Sequence, residues 1–195
     1  MSTIETAAPA TENRRTTGIL LLVTGVLGLL ASAMLTIDKI KLLEDPNFVP
    51  GCSLDPTISC GSVMQSWQGS VFGFPNPLIG IASFSVVIVA GVLALGGVDL
   101  PRWFWTGLAI GAAAGIALVI FLIYSSLFVI HALCLWCMLV WTIMPIVLAT
   151  AVAAALGPKA TQPVKQGLAA LVLLWYIVVL ALIGVQFWDY WSSKF

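Results

Sequence analysis

The chain has 195 residues and no net charge, eight Lys and Arg balancing eight Asp and Glu beside a single His. Apolar residues make up 61% and charged residues 8%, against about 25% charged in a typical soluble domain, and the mean hydropathy is +1.09. This composition excludes an ordinary soluble fold, a nucleic-acid binder and a disordered chain. A membrane crossing takes about 20 apolar residues, so roughly four or five crossings nearly exhaust the sequence.

Residues 1–16 open with a polar, Ala- and Thr-rich stretch, expected to be a disordered tail. The first apolar run goes from Thr17 to Ile37 and ends at Asp38-Lys39-Ile40-Lys41. Arg14-Arg15 before it and Ala31-Ser32-Ala33 within it resemble a secretory signal with a cleavage site. The run continues unbroken to Ile37, which favours an uncleaved anchor. The second run spans Pro77–Leu95 and stops at Gly96-Gly97. The third starts at Trp103 and reaches about Phe128, long enough to cross with tilt; its Gly111 and Gly115 form a Gly-x-x-x-Gly pattern read as helix packing. The fourth runs from about His131 to Leu156, and Gly157-Pro158-Lys159 opens a linker over residues 157–166. The fifth runs from Gly167 to Trp188, ahead of a tail over residues 189–195; Trp188, Tyr190 and Trp191 read as an outer belt of interfacial aromatics.

No Asp, Glu, Lys or Arg interrupts these runs. In lipid each must satisfy its own backbone, so each is read as an α-helix. The predicted fold is an all-α integral membrane protein: a four-helix transmembrane bundle over residues 17–156, a fifth span, and a loop cap. With the N-terminus in the cytoplasm, Arg14, Arg15, Arg102, Lys159 and Lys165 fall inside, and Lys39, Lys41 and Lys194 outside. That modest bias places a multi-pass protein in a cell membrane with the loop over residues 38–76 on the extracytoplasmic face.

That loop is far longer than the roughly 12–15 residues usual for structureless connections. Within it Ser59 to Gln68 lacks proline, and Val63, Met64 and Trp67 fall on one helical face. A short amphipathic helix lying on the membrane surface is expected. Four cysteines occur: Cys52 and Cys60 in the loop, Cys134 and Cys137 at the head of span four. Four cysteines permit three pairings, and all four fall at one oxidising face. Cys134 and Cys137, three apart on a helix, face the same way. Cys134, nearest the positive helix end, is the better thiolate, with Cys137 one turn deeper. So short a disulfide loop would add little stability, which points to redox work. A zinc site is disfavoured by the oxidising face and by the spacing of Cys52 and Cys60, so no metal is expected. Two pairs at one face make a relay by thiol–disulfide exchange, Cys52 and Cys60 reaching outward and Cys60 swinging to Cys134. With no nucleotide fingerprint and no pair of haem-ligand histidines, a lipid-soluble quinone is the expected electron acceptor.

These residues resemble the vitamin K epoxide reductase family in its bacterial disulfide-forming branch. The resemblance covers about residues 17–156 and rests on Cys52 and Cys60 eight apart, Ser66 six further on, Asn76 at the mouth of span two, and Cys134-Leu135-Trp136-Cys137. It implies a four-helix bundle around a quinone such as menaquinone, with the loop as a cap. It further implies electrons drawn from a thioredoxin-fold, DsbA-like partner, here expected as a separate soluble or anchored protein. By this likeness Cys52 meets the partner, Cys60 shuttles to Cys134, and Cys137 lies against the quinone ring. Asn76 would donate its amide N–H to a quinone carbonyl; its alternative role is an N-cap before Pro77. Ser66 would support Cys137 or the ring. Trp141 stands where vertebrate relatives carry Tyr, and Met64 where some relatives are aromatic; both are read as quinone contacts. Pro145 is expected to free the carbonyl of Trp141, and His131 is a candidate proton relay or a structural interfacial residue. The expected activity is quinone-dependent thiol–disulfide oxidation. The alternatives are quinone-epoxide reduction and a non-enzymatic membrane subunit braced by disulfides.

Overall fold

The computed structural model describes residues 8–193, with side chains from Arg14 onward. The described residues form seven α-helices: α1 (Ala8–Glu44), α2 (Cys60–Gln65), α3 (Pro77–Leu95), α4 (Arg102–Tyr124), α5 (Leu135–Leu156), α6 (Gln162–Gln186) and α7 (Trp188–Ser192). Five of them are long and apolar enough to cross a membrane: α1, α3, α4, α5 and α6. The protein is thus an all-α, multi-pass membrane protein.

The helix limits differ from the sequence expectation at several ends. Residues 1–7 of the expected tail lie outside the described residues, and residues 8–16 are helical and continuous with α1. Pro9 falls in the first turn, where a missing N–H breaks no helical bond, and no glycine follows until Gly18. The third crossing continues past Tyr124 as a π-helical turn, Ser125–Ile130. His131 then adopts the left-handed conformation, φ 55°, and the chain runs extended until α5 begins at Leu135, four residues after the expected start. The fifth crossing begins earlier than expected, at Gln162, with a proline in its first turn. Its tail folds back as α7 after Phe187 leaves helical geometry at φ −111°, ψ 30°.

The tightest pair is α1 with α3, and α5 packs against both α1 and α4. Glycine makes the first contact possible: a Cβ at Gly91 would lie 2.7 Å from the backbone nitrogen of Leu22. The core between the helices is built from Leu21, Phe84, Val87, Leu127, Trp141 and Val147, among others. By contrast α3 and α4 share no extended packing, which leaves a crevice between them. Alternation of the helices brings the end of α1, the cysteine loop, the start of α3, the π-turn, the start of α5 and α7 to one end of the bundle. At the far end Arg14 pairs with Asp99 and donates to the carbonyl of Gly97 at 3.3 Å, fastening α1 to the α3–α4 connection.

Helix α6 lies outside the four-helix bundle and presents most of its surface away from it, Ile183 being its buried residue. Its attachment follows from proline chemistry. Pro145, inside α5, has no N–H for the carbonyl of Trp141, and an unpaired carbonyl is costly in lipid. The indole N–H of Trp175 on α6 donates to that carbonyl at 3.0 Å, and the hydroxyl of Tyr176 donates to the carbonyl of Thr142 at 2.8 Å. Replacing Trp175 by Phe is expected to lower stability by about 0.5–2 kcal/mol, read as a lower thermal midpoint in detergent. The loss should shrink in a Pro145→Ala background, where residue 145 regains the N–H that the carbonyl lacks.

Candidate active site

The cysteine loop is shaped by short-range hydrogen bonds. In the last turn of α1 Lys41 sits over the ring of Phe48 at 5.3 Å, and beyond it the chain turns through Pro50-Gly51 into Cys52. Asp55 folds the next turn: its Oδ1 accepts from the N–H groups of Thr57 and Ile58 at 2.9 and 2.8 Å, an arrangement natural to aspartate. The turn then pairs in parallel with the segment before α5. Leu133 N–H donates to the carbonyl of Thr57 at 2.7 Å, and Ser59 N–H donates to the carbonyl of Leu133 at 2.9 Å. Cys60 and Cys134, each the next residue along, therefore enter the same buried cluster with Cys52, Leu35, Leu42, Val63, Met64 and Ala132.

Cys52 and Cys60 form a disulfide, with Cα atoms 5.7 Å apart. Cys134 and Cys137 are free thiols. Cys134 caps the N-terminus of α5: it is extended at φ −108°, ψ 119°, and its sulfur accepts the N–H of Cys137 at 3.4 Å. This contact is that of an N-cap side chain, with sulfur in place of oxygen. The Cys134 thiol is held below the ordinary thiol range, first by its hydrogen bond with the Cys137 side chain, against burial, which acts the other way. The backbone N–H groups of Cys137 and Trp136 add to the lowering, and the negative charge of Asp38 opposes it.

Helix α2 forms a lid over these thiols. Ser59 caps it by accepting from Ser62 N–H at 3.2 Å, and Lys39 of α1 donates to the Met64 carbonyl at its other end at 2.5 Å, where a cation suits the helix dipole. Val63 and Met64 are buried beneath it. Trp67 is not on their face, contrary to the sequence expectation: it is 68% exposed and its ring lies 6.0 Å from that of Phe121. The helix stops at Gln65, Ser66 is extended at ψ 153°, and a separate 3₁₀ turn, Trp67–Ser70, redirects the indole. The lid rests on protein through Val63 and Met64 rather than lying flat on lipid.

Under the lid lies a largely apolar cavity of about 490 Å³. Met64, Asn76, Cys137 and Trp141 line its cysteine end, and it continues along α3 and α4 to Trp103 and Phe104. On α4 the stretch from Trp103 to Leu122 corresponds to a length of about 28 Å at 1.5 Å per residue. Gly107, Gly111 and Gly115 line it, and a Cβ at Gly107 or Gly111 would touch nothing within 4 Å. Of the Gly-x-x-x-Gly pair, Gly111 thus opens space along the cavity, whereas Gly115 serves packing, a Cβ there lying 2.6 Å from the end of the Met144 side chain on α5.

The sequence-derived site residues divide as follows. Cys60, Cys134, Cys52 and Met64 share one cluster, with Cys137 packed against it. Asn76 lines the cavity but does not cap α3 with its side chain. Its Oδ1 accepts from Val71 N–H at 3.0 Å and its Nδ2 donates to the Gln68 carbonyl at 2.7 Å. These two backbone partners fix the amide orientation and leave one of its two amide hydrogens for the cavity. Ser66 is not among the cavity-lining residues; its hydroxyl donates to the Val63 carbonyl at 2.7 Å and closes the end of α2. His131 is exposed at the turn into Cys134. Sequence reasoning missed Asp38, taken only as the end of span one. It is 7% exposed and lies on the face of α1 that carries Leu35 and Leu42, three residues before and four after it. An acid at the apolar register of a helix was the signal. Among the described residues no group of three or more His, Cys, Asp or Glu side chains converges as a metal site.

Fold and site together define a multi-pass helical membrane protein with two cysteine pairs at one end of an apolar cavity. Residues 19–152 match the family described as the Vitamin K epoxide reductase family, well over half of the chain, and the protein belongs to that family of membrane oxidoreductases. Compared with individual curated proteins, the chain matches none.

Because the Asp38 charge disfavours the Cys134 thiolate, Asp38→Asn is expected to shift formation of the first thiolate to lower pH. The check is thiolate absorbance against pH with the Cys52–Cys60 disulfide intact. A shift to higher pH, or none, would contradict this assignment.

Proposed function

We propose that the protein is a quinone-dependent thiol–disulfide oxidoreductase of the cell membrane. It oxidises a thioredoxin-fold, DsbA-like partner on the extracytoplasmic face and reduces a membrane quinone, menaquinone or a similar molecule, in support of disulfide formation. One observation carries this reading: a disulfide and a dithiol share one buried cluster, and Cys137 of the dithiol lines an apolar cavity.

The electron route follows from exposure and bond order. Cys52 retains 8% of its surface and Cys60 none, so a partner thiolate attacks Cys52 and Cys60 leaves as the thiolate. The second partner thiol then displaces Cys52, and the partner departs oxidised with both loop cysteines reduced. Cys60 next attacks Cys134 of an oxidised Cys134–Cys137 pair, breaking that bond and releasing the Cys137 thiolate. Cys52 closes on Cys60, which restores the loop disulfide and leaves Cys134 and Cys137 reduced, the redox state of this structure. Two electrons move at each exchange. The quinone, when bound, accepts the two electrons and two protons that Cys134 and Cys137 give up as their disulfide forms.

The cavity suits such an acceptor. Its volume lies within the ~300–1,000 Å³ common to small-molecule sites, and its walls are almost wholly apolar. Asn76 supports the reading with an oriented amide hydrogen, able to donate to an oxygen that gains charge on reduction. Met64 and Trp141 would flank the ring, while Ser66 would act at one remove by bracing the lid. The crevice between α3 and α4 matches a long apolar tail reaching the lipid.

Cys137→Ala is expected to abolish quinone reduction by a reduced thioredoxin-fold donor in detergent; undiminished turnover would discard the mechanism. Gly111→Leu should raise KM for a long-tailed quinone roughly tenfold, about 1.4 kcal/mol, with thiol exchange between the two cysteine pairs unchanged. A KM equal to that of the parent would remove the cavity from the quinone path.

A further inference from the structure

The fifth crossing is not needed to enclose the cavity, yet its end reaches the cysteine loop. Phe187 turns the chain out of α6 and is itself buried at 7% exposure, so α7 folds back toward the bundle. Tyr190 on α7 donates its hydroxyl hydrogen to Oδ2 of Asp55 at 2.6 Å, and its ring packs edge-on against Trp191 with centroids 4.9 Å apart. The other carboxylate oxygen of Asp55 holds the N–H groups of Thr57 and Ile58. Thr57 and Ser59 are in turn the residues bonded to Leu133. An unbroken series of hydrogen bonds therefore runs from α7, through the Asp55 turn, to the residues that immediately precede Cys60 and Cys134.

We propose that Tyr190 and Asp55 form a latch by which the fifth crossing sets the approach of Cys60 to Cys134, Tyr190 being a positioning residue for the exchange between the two cysteine pairs. This rests on the relay proposed above. The latch acts on the turn rather than on a sulfur. Asp55 lies between Cys52 and Cys60 in the chain, so holding its carboxylate fixes the segment that must stay paired with Leu133 while the two cysteines trade partners. Thiol–disulfide exchange is sensitive to such placement, since small misalignments of reacting atoms lower rates steeply. The same contact holds the Tyr190 phenol above its usual range, the Asp55 carboxylate being the main cause. The hydroxyl accordingly remains a donor through neutral pH, and the latch is a fixed fastening rather than a pH switch.

The test uses the full chain carrying Cys52→Ser and Cys137→Ser, so that Cys60 and Cys134 are the only thiols, and follows formation of their mutual disulfide after addition of diamide. Neither quinone nor partner protein takes part. Adding Tyr190→Phe is expected to slow formation roughly three- to tenfold. Asp55→Ala should slow it at least as much, with no further loss when Tyr190→Phe is added, as expected for two residues acting through one contact. Asp55→Asn, which still offers an oxygen to the turn and a polar group to Tyr190, should recover most of the rate. Amide hydrogen exchange at Thr57 and Ile58 should quicken with Tyr190→Phe, while a loss of fold would quicken it throughout the bundle. An unchanged rate with Tyr190→Phe overturns the latch and leaves the relay standing. Failure of the disulfide to form with Tyr190 present overturns the relay and the latch with it.

Discussion

Two backbone hydrogen bonds to Leu133 hold this site together. They join a non-helical stretch of the cysteine loop, Thr57 to Ser59, to Leu133, two residues before α5, and so bring Cys60 and Cys134 into one cluster. Everything chemical depends on that register. Were the loop one residue out of step, the side chains would alternate to the wrong side, and Cys60 would point away from the dithiol. The bridge is a single isolated pair rather than a sheet, which suits a segment whose cysteine must change partners.

A weak bridge needs support from elsewhere, and several elements supply it. Asp55 closes the turn from one side, Lys39 and Ser59 hold the two ends of the lid helix, and Asn76 ties the 3₁₀ turn that follows to the start of α3. In each of these bonds the partner is a backbone group. Their shared role is to pair backbone groups at the ends of the lid and its turns, which matters at the edge of a lipid phase.

The same requirement explains how the outlying helix is attached. Proline in α5 removes one hydrogen bond from a helix in hydrocarbon, and Trp175 restores it from α6. The residue whose carbonyl is rescued, Trp141, also lines the cavity. The fifth crossing thus meets the functional region twice, once beside the cavity wall and once at the loop.

The sequence alone determined that the chain is helical and membrane-embedded, that it crosses five times, and that the cysteines form two pairs at one end. Apolar runs without charge, and two cysteines three apart, are local facts that chain order preserves. Span two was legible to the residue because Pro77 and Gly96 mark its ends. The sequence did not reveal that Asp38 is buried, that Trp67 leaves the lid face, that Ser66 braces the lid, or that Gly111 opens a cavity. Each depends on where a helix stops or which neighbour is absent, and hydropathy is silent on both. The contact of Tyr190 with Asp55, 135 residues apart, was decided only by tertiary structure: burial of Phe187 turns the chain back at the end of α6, and no pattern within either segment records the other.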